Sequence, residues 1–66
     1  MTDRTHTGVR CHTRQALRTV KGNLPRESLG TVVYETDSLG RRLILVSWDI
    51  GITVPVFPHE IEMQAQ

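Results

Sequence analysis

The sequence predicts a small all-β domain, and three observations lead to this prediction. The chain has 66 residues, which is enough for one domain with a marginal core. Short runs of β-branched and aromatic residues fill its second half. Turns containing glycine separate these runs. Because a chain with room for five short strands cannot build two good sheets, we expect one sheet curled into a five-stranded barrel.

The predicted elements follow each other closely from residue 8 to residue 63. In chain order they are strands over 8–11, 31–35, 42–48, 52–57 and 61–63, with one short helical turn over 58–60 before the last strand. Pro55 cannot donate a ladder hydrogen bond, so its strand should lie at a sheet edge or carry a bulge. Residues 1–7 are polar and are expected to be flexible, and residues 64–66 form a tail.

Residues 12–28 form the ambiguous stretch of the chain. Thr13 is a possible cap for a short helix over 14–21, with Gly22 as its C-terminal stop. The alternative is a long extended loop, because Thr19 and Val20 are mediocre helix formers and the residues that follow are typical of loops. The composition favours a long basic loop over 12–28.

Alternation along the strands assigns side chains to two faces of the sheet. Val32 and Tyr34 should share one face, with Glu35 on the other. The predicted interior residues are Val9, Val32, Ile44, Val46, Trp48, Val54, Phe57 and Ile61. Val33, Leu43 and Leu45 remain outside, which implies that something covers this second face. Leu17, Val20 and Leu24 of the long loop are the favoured cover, and a second copy or a partner is the alternative.

The charge distribution is uneven although the net charge is only +1. Residues 1–26 hold six basic residues against Asp3, and residues 27–66 hold two basic against six acidic residues. Such asymmetry can mark a nucleic-acid or acidic-partner surface. The simpler interpretation, which we favour, is that the two halves attract each other within the fold.

Cysteine content and hydropathy bear on the compartment. Cys11 is the single cysteine, so no internal disulfide can form, and we expect a cytoplasmic protein. We find no signal sequence in the chain and no apolar run of the length that a membrane span requires. The sequence therefore predicts a soluble protein without membrane contact.

Few residues offer catalytic or metal-binding chemistry. Cys11 and His12 with His6 are the soft ligands that lie nearest to one another, but a second cysteine and the usual ligand spacings are missing. His59 and Glu60 form the His–carboxylate pair that could act in acid–base catalysis, yet nothing else converges on them. We therefore expect no enzyme activity and no cofactor.

The order of elements resembles the SH3-like barrels of KOW-type and related accessory proteins. The residues that carry the resemblance are Gly8-Val9-Arg10, Gly30-Thr31-Val32-Val33, Leu45-Val46-Ser47-Trp48-Asp49-Ile50-Gly51 and Phe57-Pro58-His59-Glu60-Ile61-Glu62. The resemblance covers about residues 8–63. Proteins of this shape include ribosome- and RNA-binding modules, the photosystem I subunit that docks ferredoxin, and the nitrile hydratase β-subunit. The resemblance implies a binding role more than a particular activity.

The expected function is that of a non-enzymatic binding module. We expect it to dock another protein, as a small accessory subunit or as a homodimer. The predicted contact residues are Val33, Leu43, Leu45, Arg10, Arg14, Arg18, Lys21 and Arg26. The alternative is binding of RNA or DNA through the basic residues of 10–26. A shortage of aromatic residues weakens this alternative, because at least two of Tyr34, Trp48 and Phe57 are needed for the core.

Overall fold

The computed structural model describes residues 2–64, which fold into eight strands and one 3-10 turn. The strands are β1 (Thr2–Asp3), β2 (Arg10–Thr13), β3 (Leu17–Thr19), β4 (Gly22–Leu24), β5 (Leu29–Ser38), β6 (Arg41–Trp48), β7 (Thr53–Val56) and β8 (Ile61–Met63). The 3-10 turn spans Pro58–Glu60, as the sequence predicts. The Glu60 carboxylate accepts a hydrogen bond from the Phe57 backbone N–H at 2.8 Å, which closes this turn.

All strand pairs are antiparallel, and the all-β prediction is confirmed. The main sheet has the order β7-β6-β5-β2-β8, and β1 pairs with β5. Among the described residues β7 pairs with β6 alone, and it carries Pro55, so the prediction of an edge strand is confirmed. Among residues 2–64 no ladder joins the two end strands of this sheet. The five-stranded barrel therefore stays a prediction.

A β-bulge in β5 changes which side chains point inward. Val32 pairs with Val46, but the next pair joins Tyr34 to Leu45, so both Val33 and Tyr34 oppose Leu45. The extra residue reverses the alternation beyond it. The prediction that Tyr34 shares a face with Val32 is wrong for this reason. Glu35 pairs with Ile44 and is buried, whereas simple alternation placed it on the outer side.

The interior lies on the side of the sheet that Ile44, Val46 and Trp48 face. Seven of the eight predicted interior residues are buried: Val9, Val32, Ile44, Val46, Trp48, Val54 and Ile61. Phe57 is only half-buried, so its placement in the core is wrong. β7 ends at Val56, and alternation from Val54 places Val56 inside.

Residues 12–28 contain a β-hairpin, and neither the predicted loop nor the alternative helix describes them. β3 and β4 pair through Leu17–Leu24, Arg18–Asn23 and Thr19–Gly22. Gly22 has a positive φ of 146°, which suits the end of this tight turn. Leu17 and Leu24 pack into the interior cluster instead of covering Leu43 and Leu45. Val20 lies at the tip of the hairpin and is fully exposed.

The N-terminal arm is hydrogen-bonded along β5. Thr2 and Asp3 pair with Thr36 and Glu35, and the Thr7 hydroxyl donates to the Val33 carbonyl at 2.6 Å. The prediction of a frayed N-terminus missed this strand, because Thr2 and Asp3 carry no local strand signal. Met1 and the tail residues 65 and 66 lie outside the described residues.

Candidate functional site

An apolar surface covers the outer side of β5, β6 and β7. Leu45 lies at its centre and pairs with Tyr34 on one side and with Pro55 on the other. Leu43 lies on the same side of β6, two residues away. We call this surface the outer face and define it by Val33, Tyr34, Leu43, Leu45, Pro55 and Phe57. The structure thus places the three predicted apolar contact residues together and adds three that the sequence did not assign to this surface.

Two arginines lie over the aromatic rings of the outer face. The Arg4 guanidinium carbon lies 5.6 Å from the centre of the Tyr34 ring. The Arg41 guanidinium carbon lies 5.4 Å from the centre of the Phe57 ring. Both distances fall within the range of cation–π attraction. The His59 ring also stacks on Phe57, with the two ring centres 5.8 Å apart. The apolar surface is therefore bordered by positive charge.

The loop residues expected to cover the outer face lie elsewhere. Leu17 and Leu24 are buried in the interior cluster, which lies on the opposite side of β6 from Leu43 and Leu45. Val20 is fully exposed at the tip of its hairpin. None of these three side chains is thus left to shield the outer face.

Positive charge is concentrated on the β3–β4 hairpin and at its base. We call residues 14–26 the basic hairpin; its cations are Arg14, Arg18, Lys21 and Arg26. All four are exposed, and within residues 2–64 none has a carboxylate within salt-bridge distance. For these four residues, the attraction between the basic and acidic halves thus forms no ion pair among residues 2–64.

Arg10 differs from the other predicted basic contact residues. Its two terminal nitrogens donate to the two carboxylate oxygens of Asp49 at 2.9 and 2.6 Å, and one of them also donates to the Thr31 hydroxyl. The Arg10 hydrogen bond lowers the pKa of Asp49 below its usual value. Arg10 is therefore already engaged by a side chain of the fold and is a poor candidate for a partner contact.

Hydrogen bonds fix the base of the basic hairpin. Thr13 is completely buried, and its hydroxyl donates to the Pro25 carbonyl and accepts from the Ser28 N–H, both at 2.9 Å. The Arg14 N–H donates to the Glu60 carbonyl at 3.0 Å. An open cleft of about 270 Å³ lies beside this base, lined by His12, Thr13, Arg14, Arg26, Glu27 and Glu62. These hydrogen bonds thus hold the backbone that carries Arg14 and Arg26.

A third cluster joins the N-terminal arm to β5 and β6. The buried Glu35 carboxylate lies 2.5 Å from His6 Nδ1 and 3.6 Å from Arg42 Nε. Arg42 also donates to Asp3 at 2.7 Å. Hydrogen bonds from Thr5, and then from Arg42, hold the pKa of Asp3 well below its usual range. The sequence gives no sign of this cluster, because the bulge that turns Glu35 inward is not visible in an alternating pattern.

The remaining reactive side chains do not converge on one site. Cys11 is completely buried, and burial raises the pKa of its thiol to about 11. His12 follows it on β2 and therefore faces the other side of the strand. No group of three or more metal-binding side chains is found in the described part of the chain. A reactive thiolate is thus disfavoured at Cys11.

Comparisons with known proteins bring no family to this chain. No family, curated protein or solved structure was found to match it. The resemblance to SH3-like accessory proteins therefore stays a prediction. Across residues 2–64, the structure contains no helix whose length and apolar character would let it cross a membrane.

Proposed function

We propose that this chain is a non-enzymatic binding module that docks another protein through its outer face. The observation that supports this most is that the outer face is apolar while the three loop residues expected to cover it are absent from it. Half-exposed apolar side chains grouped on one face of a sheet are typical of interaction sites. Leu43 and Leu45 are half-buried on this face, so each keeps part of its side chain open to a partner.

The charge around the outer face indicates what kind of partner would fit. Arg4 and Arg41 are exposed and have no carboxylate within salt-bridge distance among residues 2–64. A partner with an apolar patch bordered by carboxylates would match both the surface and its edge. A symmetric pair of copies would bring the same arginines of both copies to one interface. The proposal therefore commits to an acidic protein partner, with the chain as its accessory subunit.

The finer fold assignment is part of the same proposal. We propose that the main sheet is an SH3-like barrel. Its strand order and the 3-10 turn between β7 and β8 support this assignment. The proposed location is the cytoplasm, for which the support is the single thiol and the lack of a disulfide.

The test uses a ten-residue peptide of alternating leucine and glutamate as the probe. Adding it to the isotopically labelled full chain should shift amide signals of residues 33–36, 41–45 and 53–57 in a two-dimensional NMR spectrum. Leu45→Glu should keep the dispersed spectrum of a folded protein and weaken binding about tenfold or more, since it places like charge in the contact. Amide shifts confined to other residues would contradict the proposal.

The matched control is Leu39→Glu. Leu39 is fully exposed in the turn between β5 and β6, so the same change there should leave peptide binding unaltered. Sedimentation velocity adds the second readout, in which we expect a monomer. A dimer that Leu45→Glu dissociates would identify a second copy as the occupant and would overturn the acidic partner.

The alternative function is binding of RNA or DNA through residues 10–26. The specific observation in its favour is that Arg14, Arg18, Lys21 and Arg26 are exposed without ion pairs in the described chain. The shortage of aromatic residues counts less against this alternative than the sequence predicts, because Tyr34 and Phe57 lie on the outer face and outside the core cluster.

A further inference from the structure

The basic hairpin has features that select among anionic partners. It is a two-stranded ribbon joined by the two turn residues Val20 and Lys21, and Leu17 and Leu24 hold it on the core. Each of its paired strands has three residues, so the ribbon extends about 10 Å at the usual rise of about 3.3 Å per residue, and Arg14 and Arg26 lie beyond its paired part. Cations lie at its base, in its middle and at its tip. The ribbon therefore presents positive charge along its whole length.

From this arrangement we infer that the basic hairpin binds double-stranded DNA by entering the major groove. The major groove of B-form DNA is about 12 Å wide and admits a two-stranded β-ribbon. The paired residues Arg18 and Asn23 are both exposed, on the side of the ribbon opposite the buried Leu17 and Leu24. Arginine and asparagine are the side chains that pair with guanine and adenine edges in this groove.

Two other nucleic acids fit the hairpin less well. Single-strand binders stack bases on aromatic side chains, and residues 14–26 contain no aromatic residue. The major groove of A-form RNA is deep and narrow, so a ribbon with side chains on both strands does not enter it. The exposed Val20 at the tip also suits DNA, because a thymine methyl group offers it an apolar contact.

Acidic residues at the base of the hairpin affect which of its cations contribute most to DNA binding. Glu27 and Glu62 line the same cleft as Arg14 and Arg26 and offset part of their charge. Arg18 and Lys21 have no acidic neighbour within the hairpin sequence. We therefore expect Arg18 and Lys21 to make the most phosphate or base contact. This inference sharpens the alternative function and is independent of the outer face.

The experiment measures binding of the full chain to a fluorescent 16-base-pair DNA duplex as salt is varied. With Arg18 on a base edge, three neutralised phosphates predict a slope of about −2.7 in the logarithm of affinity against the logarithm of salt concentration. That slope corresponds to a loss of about 40-fold between 50 and 200 mM salt. Lys21→Gln should reduce the magnitude of the slope by about 1, and Arg18→Gln should weaken binding about tenfold through the lost base contact.

The control variant is Arg41→Gln on the outer face. Arg41 is another exposed cation without an ion pair in residues 2–64, so the change matches the hairpin variants in charge. Arg41→Gln should leave the salt dependence of DNA binding unaltered and should weaken binding of the leucine–glutamate peptide. Failure of DNA binding with intact peptide binding, or the reverse, thus separates this inference from the proposed docking function.

The competing partners are outcomes of the same experiment. Equal affinity for a single-stranded 16-mer or for a 16-base-pair RNA duplex would overturn the major-groove assignment. Binding of a poly-glutamate peptide to the hairpin in place of DNA would identify an acidic protein as its partner and would overturn the inference. So would the lack of DNA binding at 20 mM salt, or a slope that Arg41→Gln lowers as much as Lys21→Gln does.

Discussion

Arg42 and Arg18, which lie in two different β-hairpins of this protein, are used in opposite ways. In the β5–β6 hairpin, Arg42 forms ion pairs with Asp3, Glu35 and Asp37, so its charge is balanced within the fold. In the β3–β4 hairpin, Arg18 and Lys21 have no carboxylate within salt-bridge distance in residues 2–64. The first hairpin forms the centre of the sheet, and the second packs Leu17 and Leu24 against the core.

This difference separates a structural from a functional role for the same residue type. A guanidinium held by several carboxylates fixes the positions of the segments that carry them. A guanidinium that folding leaves unpaired contributes little to stability, so its presence has to be explained by solubility or by binding. The predictions that follow test this separation from the largest expected effect to the smallest.

Leu24→Ala should have the largest effect, because it removes the attachment of the basic hairpin to the core. Leu24 is completely buried, and truncating such a residue costs about 2–5 kcal/mol. Urea unfolding followed by Trp48 fluorescence would measure this loss. Val20→Ala, at the fully exposed tip of the same hairpin, is the control and should change the free energy of unfolding by less than about 0.5 kcal/mol. Similar values for both would contradict the packing of Leu24.

Gly30→Ala should destabilise the β5–β6 hairpin by overpacking. A Cβ atom at this position would lie 2.6 Å from Val46 Cγ1 and 2.7 Å from Trp48 Cε3, both in the core. We expect a loss of about 1–3 kcal/mol in the free energy of unfolding, again measured in urea. Ser38→Ala at the exposed end of β5 is the control. An unchanged midpoint for Gly30→Ala would show that this contact can relax.

Arg42→Met and Arg18→Met form a matched pair across the two hairpins. Arg42→Met should lower the midpoint of thermal unfolding, because it leaves the buried Glu35 with His6 as its remaining partner. Arg18→Met should leave the midpoint nearly unchanged, since no carboxylate of the described chain loses a partner. Circular dichroism melting curves decide between these outcomes. An equal loss in both variants would remove the distinction between the hairpins.

The smallest expected effect is the loss of stability at acid pH, where the carboxylates of the ion pairs become protonated. The pKa values of Asp3 and Asp49 are lowered in the folded protein, by Thr5 with Arg42 and by Arg10 respectively. Their contribution is therefore present above the unfolded-state pKa of about 3.9 and is lost as the pH falls below it. Thermal midpoints between pH 7 and pH 2 would show the decline. In Asp49→Asn the decline should be shallower, and a curve identical to the parent would contradict the Arg10 assignment.

The regular parts of the fold were predictable from local pattern. The strands after residue 28, the edge position of Pro55 and seven of the eight predicted core residues follow from alternation and turn residues. The predictions fail where a single extra residue or a contact distant in the sequence determines the local structure. The bulge at Val33 turned Glu35 inward, and contacts with the core made a hairpin of residues that lack strong strand propensity.

The candidate surfaces divide in the same way. The basic residues of the hairpin and the trio Val33, Leu43 and Leu45 were identified from charge and alternation alone. Their neighbours Tyr34, Pro55 and Phe57 were not, because strand register brings them together from three separate strands. Nor could the sequence separate Arg10 from the other basic residues, since its ion pair with Asp49 spans 39 residues.

By itself the sequence determined the all-β class, most of the core and the positions of the charges, since these depend on residue type and local period. Only the tertiary structure decided which charges are paired and which apolar face remains partly exposed. Both outcomes depend on distances between residues far apart in the chain, and local pattern contains no information about those distances.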